Sequence, residues 1–198
     1  MSLTRHRGFS LVELMITVLV VAILTAIAWP NFRDFMHRNA ATSQANQVLA
    51  ALQYARNEAV SRRYPTALCG STSGTACTPS DTKFEGGWMI WRDSTLSGTP
   101  SYSSAAKDEL LRVVDAQNGV SIRSFGGTSP GVIAFDQRGA VIGAGGGTTN
   151  VVVCAKNSSS DALGANSQRV PGKYVRVDAS GRITVQNLAT TDTCDAAP

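Results

Sequence analysis

The sequence predicts an α+β fold, with one long N-terminal helix followed by a mostly antiparallel β-sheet domain. Three observations carry that expectation. The run from Leu11 to Ala28 is apolar except for Glu13, Thr17 and Thr25. A helical repeat of apolar residues then continues to about Arg62. After Tyr64-Pro65 the pattern changes to short runs rich in β-branched and aromatic residues, with turn residues and no helical stretch between them. A chain of 198 residues suits one membrane segment and one soluble domain large enough to bury its own core.

Taken as a helix, Leu11 to Ala28 reaches roughly 27 Å, close to the hydrocarbon thickness of a bilayer. Arg5 and Arg7 precede it, so the positive-inside rule leaves the N-terminus cytoplasmic and sends the rest outward. The alternative is a cleaved secretory signal ending at the "AIA" before Trp29. It is disfavoured because the apolar stretch is long and the helical pattern continues past it. Glu13 is the anomaly in this segment. A carboxylate in hydrocarbon costs on the order of 2.5 to 3.5 kcal/mol on insertion scales and persists where it finds a partner; the other reading is a charge snorkelling to the interface. Pro30 removes one helical hydrogen bond, so a bend is expected near Ala26 to Pro30.

Beyond the proline, Ala41, Ala45, Val48, Leu49, Leu52, Ala55, Ala59 and Val60 form an apolar stripe at three- and four-residue steps. Gln44, Gln47, Gln53, Arg56 and Arg63 fall largely off it. The expected helix runs from about Phe9 to about Arg62, roughly 80 Å at helical rise, with its outer half packed on a sheet. The expected strands are Thr66 to Cys69, Gly87 to Arg92, Leu110 to Val114, Val120 to Phe125, Val132 to Phe135, Val151 to Ala155, Tyr174 to Val177 and Ile183 to Val185. Trp88 and Trp91 fall on opposite faces of one strand, which predicts one in the core and the other at the surface or in a loop. Trp88, Ile90 and Phe135 read as core residues rather than as the lining of a ligand pocket.

Four cysteines, Cys69, Cys77, Cys154 and Cys194, lie downstream of the apolar run. An even count in an exported domain suggests two disulfides, most simply Cys69 with Cys77 and Cys154 with Cys194, among the three pairings possible. A zinc site is disfavoured, since no Cys-x-x-Cys pair is present and the histidines are His6 and His37. Catalysis finds little material. Asp108-Glu109 and Asp192-Asp195 read as solvated loop charges, and "GAGGGTT" lacks the Lys-Ser/Thr ending of a phosphate loop. No enzyme, cofactor or metal is expected. The net charge of +4 is too weak to argue for nucleic acid by itself. Arg169, Lys173, Arg176 and Arg182 do cluster near the C-terminal strands, and if Val175 and Val177 face the core then Tyr174 and Arg176 point outward, able to grip phosphates.

"RGFSLVELMITVLVVAILTAIAWPNF" resembles the type III signal of type IV pilins and type II secretion pseudopilins. That resemblance implies cleavage between Gly8 and Phe9 by a prepilin peptidase, N-methylation of Phe9, and retention of the helix. It also implies that the Glu13 carboxylate meets the N-terminal amine of a neighbouring subunit. "NQVLAALQYARNEAVSRRYPTALCGSTSGTAC", "GGWMIWRD" and "IAFDQRGAV" are similar to the GspH/FimT family of minor pilins and minor pseudopilins, more closely its FimT/FimU-type members. The implied organisation is a leader over 1–8, a membrane and filament-core helix over 9–29, an amphipathic extension over 30–63 and a β-rich domain over 64–198. The implied function is a minor pilin, single-pass in the bacterial inner membrane with its C-terminal domain periplasmic, that joins other pilins near the filament tip and primes assembly. A minor pseudopilin of a type II secretion system is the alternative. Some FimT-type pilins bind double-stranded DNA through Gly-Arg-x-Arg; here Gly181 and Arg182 match, but Thr184 stands where the second arginine belongs.

Overall fold

The computed structural model describes residues 9–78, 82–94, 102, 108–126, 131–143 and 148–195. Gly8, Arg5, Arg7 and His6 lie outside them, as does much of the 95–107 and 144–147 loops. The chain divides into two compact units, Met1–Met36 and His37–Pro198. One helix, α1 (Leu11–Arg62), contributes to both. It starts two residues later than its pattern suggested and passes through Pro30. A proline at that position leaves the Ala26 carbonyl without its usual donor. One residue further along, the Asn31 side chain donates to the Ile27 carbonyl at 3.3 Å.

Eight strands follow among the described residues, each at a position where an alternating or β-branched run stands in the sequence. They are β1 (Thr66–Gly70), β2 (Trp88–Arg92), β3 (Glu109–Val114), β4 (Val120–Gly126), β5 (Val132–Phe135), β6 (Thr149–Ala155), β7 (Lys173–Val177) and β8 (Ile183–Asn187). They form two antiparallel sheets of four strands, ordered β3-β2-β1-β5 and β4-β6-β7-β8.

The inner faces of both sheets meet the outer half of α1. Ala45, Val48, Ala51, Leu52, Ala55 and Ala59 join Leu68, Trp88 and Ile90 of the first sheet and Ile122, Val153 and Val175 of the second in one core. The helical stripe is rotated slightly from the expected one. Ala51 is buried, Leu49 only half-buried, and Val60 exposed. Gln44 lies beside the stripe and reaches out, its Nε2 donating to Gln117 Oε1 at 2.8 Å.

Each sheet is also covered on its outer face, which the sequence pattern did not announce. Trp91 is fully buried with Met89, Ala67 and Cys69 in a second cluster, and its ring meets Tyr102 edge-on at 5.9 Å. The two tryptophans thus point to opposite faces, as period-two geometry requires, and both are core. On the other sheet, Val152 and Cys154 pack with Leu188 and Cys194. Both faces of β6 are therefore buried along its whole length, which accounts for the uninterrupted run Val151-Val152-Val153. Two disulfides belong to these outer clusters, Cys69–Cys77 and Cys154–Cys194.

Edges are treated unequally. The segment 82–85 covers β4, with Phe84 N–H donating to Ile122 O at 2.9 Å and Ser124 N–H to Thr82 O at 3.0 Å. A buried ion pair between Glu85 and Arg123 fastens this strap, and Arg123 Nη2 also donates to Ala162 O at 2.9 Å. Among the described residues, the outer edges of β3 and β8 carry no further strand.

Two turns share one construction. In Asp136-Gln137-Arg138-Gly139 and Asp178-Ala179-Ser180-Gly181, the glycine N–H donates to the aspartate carbonyl at 2.9 and 2.7 Å. Both glycines have positive φ, 79° and 78°. This is the type I turn with a left-handed glycine that closes three-residue hairpins. Asp136 stabilises its turn further, accepting from Arg138 N–H at 2.8 Å and Ala140 N–H at 2.9 Å, and from Arg138 Nε at 3.0 Å. Burial alone would raise the Asp136 pKa, but these backbone donors and the Arg138 guanidinium outweigh it and hold the carboxyl below its ordinary value of 3.8. A depressed carboxyl favours the folded state above its unfolded pKa, and that contribution disappears as pH falls through the folded value. The stability of the full chain in detergent, followed by urea unfolding from pH 6 down to pH 3, is therefore expected to fall less steeply for Asp136→Asn than for the parent. Parallel curves would assign the acid sensitivity to other groups.

Candidate functional site

The first turns of α1 present a surface that a water-soluble fold would hide. Phe9, Leu11, Val12, Leu14, Met15, Ile16 and their successors to Ile27 and Trp29 are all about half exposed or more. The most apolar window of the helix has a mean hydropathy of 2.7 and none of it is buried within the chain. Apolar residues occur all round the helix here rather than on one stripe, the pattern of a segment solvated by lipid or by other apolar helices.

Glu13 sits in the first turn of that helix. Its backbone N–H donates to Ser10 Oγ at 3.2 Å, and Leu14 N–H to Ser10 O at 3.2 Å. Ser10 is thus the N-cap, and Ser-x-x-Glu is the sequence of a capping box. This role was legible in Ser10-Leu11-Val12-Glu13 but was not drawn from it. The capping bond uses the Glu13 backbone and leaves its carboxylate available to a partner, while the helix dipole favours a negative charge at this end. Phe9, exposed, precedes the cap; Gly8 lies outside the described residues.

The basic residues of the C-terminal strands do not form one free patch. Arg176 is exposed on β7, but its Nε lies 3.0 Å from Asp178 Oδ1. Lys173 Nζ donates to Asn187 Oδ1 at 2.6 Å across the β7–β8 ladder. Tyr174, on the same face as Arg176, packs onto the outer cluster of β6. Burial there raises the pKa of its hydroxyl above the ordinary 10.0 despite the nearby Arg176. Arg169 lies in the loop before β7 and is exposed. Arg182 follows the Gly181 turn; its carbonyl accepts from Asp178 N–H at 2.9 Å, and its side chain lines a cleft against α1. The loop acids also have partners. Glu109 pairs with Arg92 at 2.6 Å, Asp108 accepts from Ser94 N–H at 2.9 Å, and Asp192 from Ala189 N–H at 3.1 Å.

Arg56 of α1, expected off the stripe, fastens the two matching turns. Its Nε donates to Gly139 O at 3.0 Å and its Nη2 to Ser180 O at 3.5 Å. The turns touch so closely that a Cβ on Gly181 would collide with the Gly139 carbonyl. The sequence carried a signal for this junction in the two Asp-x-x-Gly tetrapeptides.

A long helix, apolar all round at its start and striped further on, packed against antiparallel sheets, is the architecture of the type IV pilin and pseudopilin class, whose members are structural components and not enzymes. The family model described as Type II transport protein GspH matches residues 44–181, and the chain belongs to that family. A prokaryotic N-terminal methylation motif matches residues 3–29. Two proteins of Pseudomonas aeruginosa described as fimbrial protein are similar, one 32% identical over 114 residues and the other 35% over 91. Those matches cover 58% and 46% of this chain but less than two thirds of each relative, 63% and 52%. Among solved structures, the type IV minor pilin FimU of P. aeruginosa shares the fold, with a TM-score of 0.51 and 19% identity over 80% of this chain and 95% of that one.

The Arg56 junction generates a stability prediction. An alanine at Gly181 must adopt a left-handed conformation and displace the Gly139 turn, so Gly181→Ala is expected to destabilise the full chain by about 1–3 kcal/mol. Ser180→Ala, beside it and exposed, should change stability by less than about 0.5 kcal/mol. Urea midpoints of the two variants in detergent micelles compare them directly, and equal midpoints would mean the turns are not pressed together.

Proposed function

We propose that this chain is a minor subunit of a type IV pilus, held in the bacterial inner membrane by the first half of α1 with its N-terminus cytoplasmic and its sheets in the periplasm. The observation that carries this reading is the exposed, all-round apolar start of α1, capped by Ser10 and carrying Glu13 in its first turn. Such a surface has two hosts, lipid before assembly and the apolar helices of other subunits afterwards. Moving between them costs little, because one apolar medium replaces another. In this reading a prepilin peptidase cleaves between Gly8 and Phe9 on the cytoplasmic side, and the new N-terminus is methylated. The Glu13 carboxylate then selects the filament, where a neighbouring N-terminal amine supplies the counter-charge that lipid lacks. The sheets meet other minor subunits near the tip and prime polymerisation.

Cells expressing Glu13→Ala should show normal amounts of the protein in the membrane fraction and a severalfold lower amount in sheared filaments. Equal incorporation of parent and variant would remove Glu13 from assembly.

A second reading, a minor pseudopilin of a type II secretion system, has the support of the family description itself. Deleting the coding sequence separates the two. Loss of surface pili with intact protein export is expected, and blocked export with intact pili would move the chain to the secretion machine. Double-stranded DNA as a partner of Arg169, Lys173, Arg176 and Arg182 draws less support. Arg176 already pairs with Asp178 just past the end of its own strand and Lys173 with Asn187 on β8, and Thr184 interrupts the arginine pair.

A further inference from the structure

The cleft between α1 and the β7–β8 turn has a volume of about 410 Å³ and is lined by Gln53, Arg56, Asn57, Arg182 and Ile183. Its polar groups are two guanidinium groups and two carboxamides, with no acid among the lining residues. Among the described residues Arg56 is hydrogen-bonded only to neutral carbonyl oxygens, those of Gly139 and Ser180, which hold its charge in place without neutralising it. Among the described residues the Arg182 side chain has no hydrogen-bonding or ionic partner. Two uncompensated like charges on one recess repel each other, and an anion placed between them reverses that cost.

We propose that this cleft is a seat for a carboxylate side chain of an adjoining protein subunit. Gln53, Arg56 and Asn57 occupy positions i, i+3 and i+4, one face of α1, so their donors converge from one side. Arg182 closes the other. A guanidinium matches a carboxylate with two parallel hydrogen bonds, and the carboxamides can satisfy the remaining lone pairs. The Ile183 side chain gives the stem of an aspartate or glutamate an apolar wall. Arg56 is preorganised by the same two turns whose glycines press together, which lowers the ordering cost of binding. The geometry favours a single carboxylate over a nucleic acid backbone. A polynucleotide needs a track of free cations, and the nearest basic residues on β7 are engaged by Asp178 and Asn187.

The inference deepens the filament-subunit reading by naming a contact, yet its test needs no filament and so fails or succeeds separately. The full chain in detergent micelles at low ionic strength is titrated with the peptide acetyl-Ala-Glu-Ala-amide, with its Gln counterpart, and with a short DNA duplex. The readout is the Nε–Hε resonances of Arg56, Arg182 and Arg176. Saturable shifts of Arg56 and Arg182 with the Glu peptide alone are expected. Arg182→Gln should weaken that binding roughly tenfold, the cost of losing a charge-assisted contact, and leave the backbone spectrum intact; Arg176→Gln should leave the binding unchanged. The proposal is overturned if the Glu peptide produces no saturable shift, if Arg182→Gln binds as the parent does, or if only the duplex shifts Arg182, and Arg176 with it.

Discussion

One helix has to lie against two sheets at once, and the size of its side chains decides whether it can. Where α1 meets the sheets, the buried positions are Ala41, Ala45, Ala51, Ala55 and Ala59, with Val48 and Leu52 as the larger exceptions. Small residues let the helix backbone approach both inner faces closely, so that the valines and isoleucines of β4, β6 and β7 and the tryptophan and isoleucine of β2 fill the remaining space in one core. Larger side chains along this stripe would lift the helix from one sheet or the other and open the core. The Arg56 junction, reached from the same helix, and Phe84 of the strap over β4, packed in the same core, both build on this contact.

The same helix changes its surface along its length, and the sequence marks the change. Before Trp29 every face is apolar; after Ala41 the buried apolar residues return at helical spacing, with glutamines and arginines on the other faces. The helical repeat is why the helix was legible without coordinates. The strands from Thr66 to Val185 were found from period-two runs and β-branched content, with ends displaced by one or two residues. The family was legible from a few short motifs, which the match over 44–181 supports.

What remained hidden depends on contacts between segments distant in sequence. Division of eight strands into two sheets is set by pairing, and no local pattern in β1 or β6 names its neighbour. Strand alternation left one of Trp88 and Trp91 for the surface or a loop, and nothing local says that the face of Trp91 is covered. Here loops bearing Tyr102 and Cys77 cover it. Arg56 looked like a solvated residue because its partners are carbonyl oxygens 83 and 124 residues away. The C-terminal arginines read as one basic patch because charge was counted along the chain, whereas the strand ladder and the turn give Arg176, Lys173 and Arg182 different surroundings.

The Cys154–Cys194 bond joins the middle of the second sheet to the last described residues across a separation of 40 in sequence. Strands β7 and β8 and the long polar loop before them, much of it exposed over 157–169, all lie inside the covalent ring so formed. A protease that cuts this loop does not release a fragment: both new ends stay tethered through sulfur, and β7 and β8 keep their ladders to β6 and to each other. The ring makes this exposed loop a place where the backbone can break without the two pieces coming apart.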